Sequence, residues 1–317
     1  MKVLISDKLE KEAVDILKSK GLEVDINTEL TPEQLKEKIK DYDALIVRSK
    51  TKVTKEIIDA ADKLKVIGRA GVGVDNIDIP VASAKGIVVM NAPSGNTISA
   101  AEHAFALMFT LCKNIHSAHP MLKSKKWEKK LLGVELYGKT IGIIGLGRVG
   151  SHMAKMAKGI GMNVIGYDPL ITKEKAEQIG VKFADLDELF QTSDFISLHV
   201  PRTAETKNMI NENTLNKMKK NARIINCARG GVVDEKALYN ALKSGRIAGA
   251  ALDVFAQEPL LDSPLLELDN VVFTPHLGAS TSEAQINVAA EIANSIASAL
   301  NEEKFPNALN LSQLVKK

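Results

Sequence analysis

Short β-branched runs alternate with amphipathic stretches along the whole chain. Val3-Leu4-Ile5, Val24-Asp25-Ile26, Ala44-Leu45-Ile46-Val47, Val66-Ile67 and Ile87-Val88-Val89 predict a first series of strands. The segments between them read as helices; Glu10 to Ser19, for example, carries Ala13, Ile16 and Leu17 on one face. A second series begins with Ile141-Gly142-Ile143-Ile144. It continues through Asn163-Val164-Ile165, Phe195-Ile196-Ser197-Leu198, Arg223-Ile224-Ile225, Gly249-Ala250-Ala251-Leu252 and Val271-Val272-Phe273. Runs apolar on both faces suit strands inside parallel sheets, and the intervening helices supply the crossovers.

Two capping-box patterns frame the second series. Ser99-Ala100-Ala101-Glu102 predicts the start of a long helix carrying Ala101, Phe105, Met108, Leu111 or Cys112, and Ile115. Ser280-Thr281-Ser282-Glu283 predicts the start of a last helix with Ile286, Ala289, Ala293, Ile296 and Leu300. The expected architecture is α/β, with two doubly wound parallel-sheet lobes. One covers 1–97 plus 285–317, regained by the last helix; the other, 98–284, is inserted in it, with the two crossovers as a hinge.

Composition supports two ordinary cores: 45% of the 317 residues are hydrophobic and 26% charged, too apolar a balance for disorder. No apolar run reaches the roughly 18 residues of a membrane-spanning helix. The N-terminal Met1–Ser6 stretch is too short for a signal peptide. Two cysteines, Cys112 and Cys227, are too few for a disulfide framework and fit a cytoplasmic protein. A net charge of +3 with 4% aromatics offers neither basic stripe nor stacking platform, so no nucleic-acid partner is expected. The basic residues are uneven, with seven arginines against 35 lysines. Arginine's planar fork suits carboxylates and phosphates, which makes each arginine a candidate contact.

Gly145-Leu146-Gly147-Arg148-Val149-Gly150 matches G-x-G-x-x-G between a predicted strand and a predicted helix. Asp168 lies eighteen residues past Gly150, at the end of the next strand. The spacing is that of a dinucleotide-binding turn. Gly145 permits the tight turn, Gly147 lets the backbone approach a pyrophosphate, and Gly150 lets helix and strand pack. The helix N-terminus offers N–H groups to the phosphates. Asp168 accepts from ribose hydroxyls and repels a 2′-phosphate, so the expected cofactor is NAD rather than NADP.

Three segments follow later strands, where open parallel sheets hold their ligands. Asn226-Cys227-Ala228-Arg229-Gly230-Gly231 presents Arg229 to a substrate carboxylate. Glu258, before Pro259, taken alone reads as a solvated glutamate. Thr274-Pro275-His276-Leu277-Gly278 brings a histidine to a strand end. A histidine beside a carboxylate, with an arginine and a nicotinamide, is what oxidation of a 2-hydroxy acid requires: a base takes the hydroxyl proton as hydride leaves. In the first series, Arg48 and Arg69 also follow strands, and Gly71 and Gly73 allow a backbone N–H nest. They read as an anion site.

These motifs, with Gly68-Arg69-Ala70-Gly71-Val72-Gly73-Val74-Asp75-Asn76, Ala250 to Phe255 and Pro275 to Ser280, resemble the D-isomer-specific 2-hydroxy acid dehydrogenase family over residues 68–280. The resemblance implies a Rossmann-type NAD domain inserted in a flavodoxin-like substrate domain, and a catalytic triad of Arg229, Glu258 and His276. It puts Arg148 and Val149 on the pyrophosphate, Asp253 near the nicotinamide carboxamide, and Thr206 near the cofactor. Val200 and Pro201 line its adenine or ribose pocket, and Cys227, Ala228 and Gly278 count among its contacts. The Arg69–Asn76 loop, with Gly71, Val72 and Gly73, would bind the substrate carboxylate; Arg48 and Arg69 would bear on a phosphate, and Asn96 is a further substrate candidate.

The implied reaction is oxidation of 3-phospho-D-glycerate to 3-phosphooxypyruvate, at the start of serine synthesis. A glyoxylate or hydroxypyruvate reductase and an NAD-sensing corepressor-like binding protein are the other readings. A homodimer or tetramer is implied, with contacts around residues 99–120. The chain ends at Leu314-Val315-Lys316-Lys317, so no serine-sensing C-terminal domain is expected. No metal is expected either: His116 and His119 lack a third ligand, His103 reads as packing, and Lys123 to Lys130 as a solvated face.

Overall fold

The computed structural model describes residues Met1–Leu314; residues 315–317, the end of the expected first lobe, lie outside the described residues. Twelve strands follow in chain order: β1 (Lys2–Ile5), β2 (Glu23–Ile26), β3 (Ala44–Val47), β4 (Val66–Arg69), β5 (Val88–Asn91), β6 (Thr140–Ile144), β7 (Asn163–Tyr167), β8 (Lys182–Phe183), β9 (Phe195–Leu198), β10 (Arg223–Asn226), β11 (Gly249–Leu252) and β12 (Val271–Phe273). They form two sheets, β2-β1-β3-β4-β5 and β12-β11-β10-β9-β6-β7-β8. Every pairing of named strands is parallel. The first order is flavodoxin-like. The second is the Rossmann order, extended by one strand beyond β11.

The chain divides into two compact units, Met1–Thr97 with the chain from Ser280 onward, and Ile98–Ala279. The return to the first unit falls at Ser280, ahead of the last helix rather than at residue 285. That helix, Ser282–Glu302, is capped by Thr281, whose hydroxyl accepts from Ala284 N–H; the cap is one residue later than the Ser280–Glu283 pattern predicts. Its buried Val288, Ala289, Ile292 and Ile296 pack with Val3, Ile5, Ala44 and Val66 of the first sheet.

The expected long helix is two. The first spans Thr97–Cys112 and a second spans Ile115–Lys123; Asn114, in the left-handed conformation at φ 53°, breaks them. Ser99 lies inside the first helix, so it is no N-cap. The structure adds a short edge strand, β8, whose two residues show no apolar run that would predict it.

Register positions the chemistry. In the second unit Ile144 pairs with Tyr167 and Leu198, Leu198 with Asn226, Asn226 with Leu252, and Leu252 with Phe273. The carboxyl ends are therefore flush, and whatever follows each strand emerges on one edge. In the first unit Val47 pairs with Arg69, so Arg48, the next residue, emerges beside Arg69.

The free edge of β5 is covered by the chain after the last helix. Leu309 N–H donates to Val89 O, and the fully buried Asn310 accepts from Val89 N–H while donating to Ser83 Oγ and Ile87 O. Asn310→Leu takes this partner from the Val89 N–H and the Ile87 carbonyl, and stability should fall by about 2–3 kcal/mol. Urea unfolding checks this; an unchanged midpoint would show that Asn310 does not hold the edge.

Candidate active site

The glycine turn follows β6 and leads into the Arg148–Gly159 helix. Gly145 has φ +93°, and a side chain there would collide with His199 O. A side chain at Gly150 would overlap the Gly145 carbonyl oxygen, whereas nothing lies within 4 Å of a Cβ built on Gly147. Two of the glycines are thus required by the protein's own packing, and the third faces open space. No side chain among the described residues caps this helix, so its first-turn N–H groups and its positive dipole end stay available to an anion. Asp168 braces the turn: its carboxylate accepts from Leu146 N–H at 2.8 Å and from Leu170 N–H at 2.9 Å. These features fit a dinucleotide.

Neighbouring loops are ordered in the same manner. Thr206 donates to Pro201 O at 2.6 Å, closing the loop after Val200. Desolvation pushes His199 down to about 4, so it is neutral at physiological pH.

After β10, the buried Asn226 side chain organises the arginine turn. It accepts from Ala228 N–H and donates to Arg229 O, and the Arg229 guanidinium donates to Ala228 O at 2.6 Å. A side chain at Gly230 would overlap Phe255 O, so the turn and the loop after β11 touch through backbone alone.

Asp253 directly follows β11 and has no exposed surface. Its Oδ1 accepts from the Thr274 hydroxyl at 2.6 Å and from Leu277 N–H at 2.7 Å, and lies 3.2 Å from His103 Nε2; Oδ2 accepts from Gly278 N–H at 2.9 Å. Burial alone would raise its carboxyl. The bonds from His103, Thr274 and Leu277 outweigh that and hold it below the usual carboxylate value. The resemblance puts Asp253 beside a carboxamide; in the structure its oxygens fasten the loop that carries His276.

His276 sits at φ +57°, a conformation that costs a non-glycine residue about 1–3 kcal/mol. Its N–H is held by Asp253 O and Thr274 O at 2.9 and 3.0 Å. The ring meets Glu258: Nδ1 lies 2.8 Å from Oε2, while Oε1 accepts from Phe255 N–H. A carboxylate accepting from Nδ1–H leaves Nε2 with its lone pair, ready to take a proton. The pair is half exposed and borders a recess of about 550 Å³ walled by Leu261, Leu266 and Phe273.

In the first unit, Arg48 and Arg69 stand at adjacent strand ends. Asp7 accepts from Arg48 N–H, Thr51 N–H and the Thr51 hydroxyl, and Asn76 donates to Arg48 O and Thr51 O. Arg69's guanidinium lies where a side chain at Gly71 would be, and Gly71 has φ +144°. Asn91 donates to Val72 O, fixing the turn before Gly73. Glu291 accepts from Ser94 and Gly95 N–H, beside Asn96, whose Oδ1 is enclosed with no hydrogen-bond partner.

Sequence reasoning missed Ser99 and His103, which bond to the His276 loop rather than capping or packing. Their spacing, one turn apart on a helix face, was the available signal. Ligand atoms of His103, Cys227 and Asp253 come within 4.8 Å of one another. They fit a metal poorly: Asp253's oxygens are engaged, and burial with the Asp253 charge holds the Cys227 thiol well up, so it stays protonated. The same protonation excludes Cys227 as a nucleophile.

Residues 105–278 match the family described as D-isomer specific 2-hydroxyacid dehydrogenase, NAD binding domain. A solved acyclic imino acid reductase, in complex with NADPH and D-arginine, is 32% identical, with a TM-score of 0.87 over 98% of this chain and 100% of its own. The chain belongs to the D-isomer-specific 2-hydroxyacid dehydrogenase family, and its glycine turn lies in the part matched to the NAD-binding domain. A glyoxylate reductase from Paecilomyes thermophila superposes with a TM-score of 0.88 at 29% identity, over 98% of each chain. The D-3-phosphoglycerate dehydrogenase of Synechocystis sp. is 53% identical over 314 residues, 99% of this chain; the chain spans 56% of that relative's length.

The glycine geometry separates two variants. Gly150→Ala carries an overpacking cost of about 1–3 kcal/mol, so both thermal midpoint and NADH affinity should drop. Gly147→Ala should leave the midpoint unchanged and weaken NADH. Unchanged NADH affinity in Gly147→Ala would remove that residue from the phosphate contact.

Proposed function

We propose that the chain oxidises 3-phospho-D-glycerate to 3-phosphooxypyruvate with NAD, the opening reaction of phosphorylated serine synthesis. The observation that carries this reading is the His276–Glu258 pair on the same sheet edge as Arg229. NAD, held by Gly145 to Gly150 and Asp168, supplies the hydride acceptor. His276 Nε2 takes the proton of the substrate's 2-hydroxyl, and Glu258 stabilises the imidazolium that forms. Arg229 binds the substrate carboxylate with two parallel donors and stabilises charge developing on the adjacent oxygen. Arg48 and Arg69 take the phosphate, the Gly71–Gly73 turn offers N–H groups to the carboxylate, and Asn96 Oδ1 accepts from a substrate hydroxyl. The Synechocystis relative's name supports this choice of substrate. The likeness to a glyoxylate reductase favours a second reading, reduction of a small unphosphorylated 2-oxo acid.

The same reading includes a preference for NAD over NADP, set by Asp168. It includes a homodimer, because Ile115, Leu122, Trp127, Leu132 and Tyr137 expose large apolar side chains along one stretch of the second unit. A cytoplasmic location belongs to it too, in keeping with two free cysteines; among the described residues no helix is long and apolar enough to cross a membrane.

NADH formation from 3-phosphoglycerate, measured beside reduction of phosphooxypyruvate, glyoxylate and 2-oxoglutarate, tests the substrate. The phosphorylated pair should be preferred, and Arg69→Ala should erase that preference; equal losses on all acids would sink the phosphate assignment. His276→Ala should lower kcat by about 10²–10⁴-fold with NADH affinity retained; lost NADH binding would make His276 structural instead.

A further inference from the structure

We propose that Ser99 and His103 form a clasp that positions His276 for its partnership with Glu258. The two residues stand one turn apart on the Thr97–Cys112 helix, and a helix brings positions i and i+4 onto one face. Both reach the same loop, at opposite ends. The Ser99 hydroxyl, nearly buried, donates to Gly278 O at 2.8 Å. His103 Nε2 lies 3.0 Å from Thr274 Oγ1 and 3.2 Å from Asp253 Oδ1.

The proton assignment follows from the partners. The Thr274 hydroxyl has one proton and gives it to Asp253 Oδ1, so its oxygen can only accept from His103. Asp253, ionised, can only accept. His103 therefore carries its proton on Nε2 and shares it between the two oxygens. At the other end, Gly278 packs close to the helix, where a Cβ would sit 3.9 Å from Ala100 Cα.

The loop between the two contacts has no regular structure, and it holds His276 in a conformation it would not choose. Its N–H groups are spent on Asp253 and on Thr274 and Leu252 carbonyls. The helix supplies the outside contacts at both ends. Without them the backbone at His276 can relax out of the left-handed region, and the ring leaves Glu258. Ser99 and His103 are positioning residues: they act through Asp253, Thr274 and Gly278.

The inference rests on the proposed role of His276 as base, so its test has a readout independent of turnover. In the 317-residue chain, the Nδ1 proton that His276 shares with Glu258 should give a downfield NMR resonance. His103→Leu should abolish that resonance and lower kcat by about 10²-fold, as misplacement of a reacting group does, with NADH affinity unchanged. His103→Gln, whose amide reaches with a donor where Nε2 stood, should restore both. If His103→Leu is too unstable to purify, Thr274→Val removes the bridge from the loop side and should reproduce the loss. A retained resonance in His103→Leu or Thr274→Val overturns the proposal, as does a parallel loss of NADH affinity or a failure of glutamine to rescue. Should the wild type turn over none of the acids, the resonance still decides the clasp, and only the enzymatic reading falls.

Discussion

A carboxylate taken out of water costs several kcal/mol unless its oxygens are satisfied, and Asp253 is wholly buried. It meets that cost with donors drawn from three places in the sequence: His103 on a helix, Thr274 after β12, and the N–H groups of Leu277 and Gly278. Its backbone adds two more ties, donating to Asn226 O and accepting from His276 N–H. One ionised side chain thus fastens the His276 loop to the strand beside the arginine turn. The site's strained geometry at His276 persists because these bonds over-determine it.

The parallel register is the second constraint. Flush carboxyl ends bring Asn226, Leu252 and Phe273 side by side, so residues more than forty positions apart in the chain emerge together. The same arithmetic in the first sheet brings Arg48 and Arg69 to neighbouring strand ends. Both sheets then spend buried polar side chains, Asn226 in one and Asp7 in the other, on fixing the turn that carries an arginine. Arginine recognition depends on the orientation of a planar fork, which a loose turn would squander.

Much of this was legible in the sequence, for physical reasons that differ by element. The buried strands were, because a strand covered on both faces must be a continuous apolar run. The glycine turn was, because steric exclusion at Gly145 and Gly150 leaves no alternative residue. Edge strand β8 was not, having too few residues to show a pattern. The helix ends were misjudged where a polar residue had two possible partners: Ser99 could have capped a helix, but its hydroxyl went to Gly278, and Asn114 broke a helix that apolar spacing alone would have continued. His103 was illegible because its value depends on Asp253, 150 residues away, and only the fold brings them together.

The His276 loop depends on Asp253 being charged in the interior, its donors prevailing over its burial. Carbon-13 NMR of its side-chain carboxyl across an acid titration measures this directly. The carboxyl should remain ionised until the pH falls below the ordinary aspartate value of about 3.9. A carboxyl that protonates near neutral pH, as a buried and unsupported one would, contradicts the claim that Asp253 anchors the His276 loop by its charge.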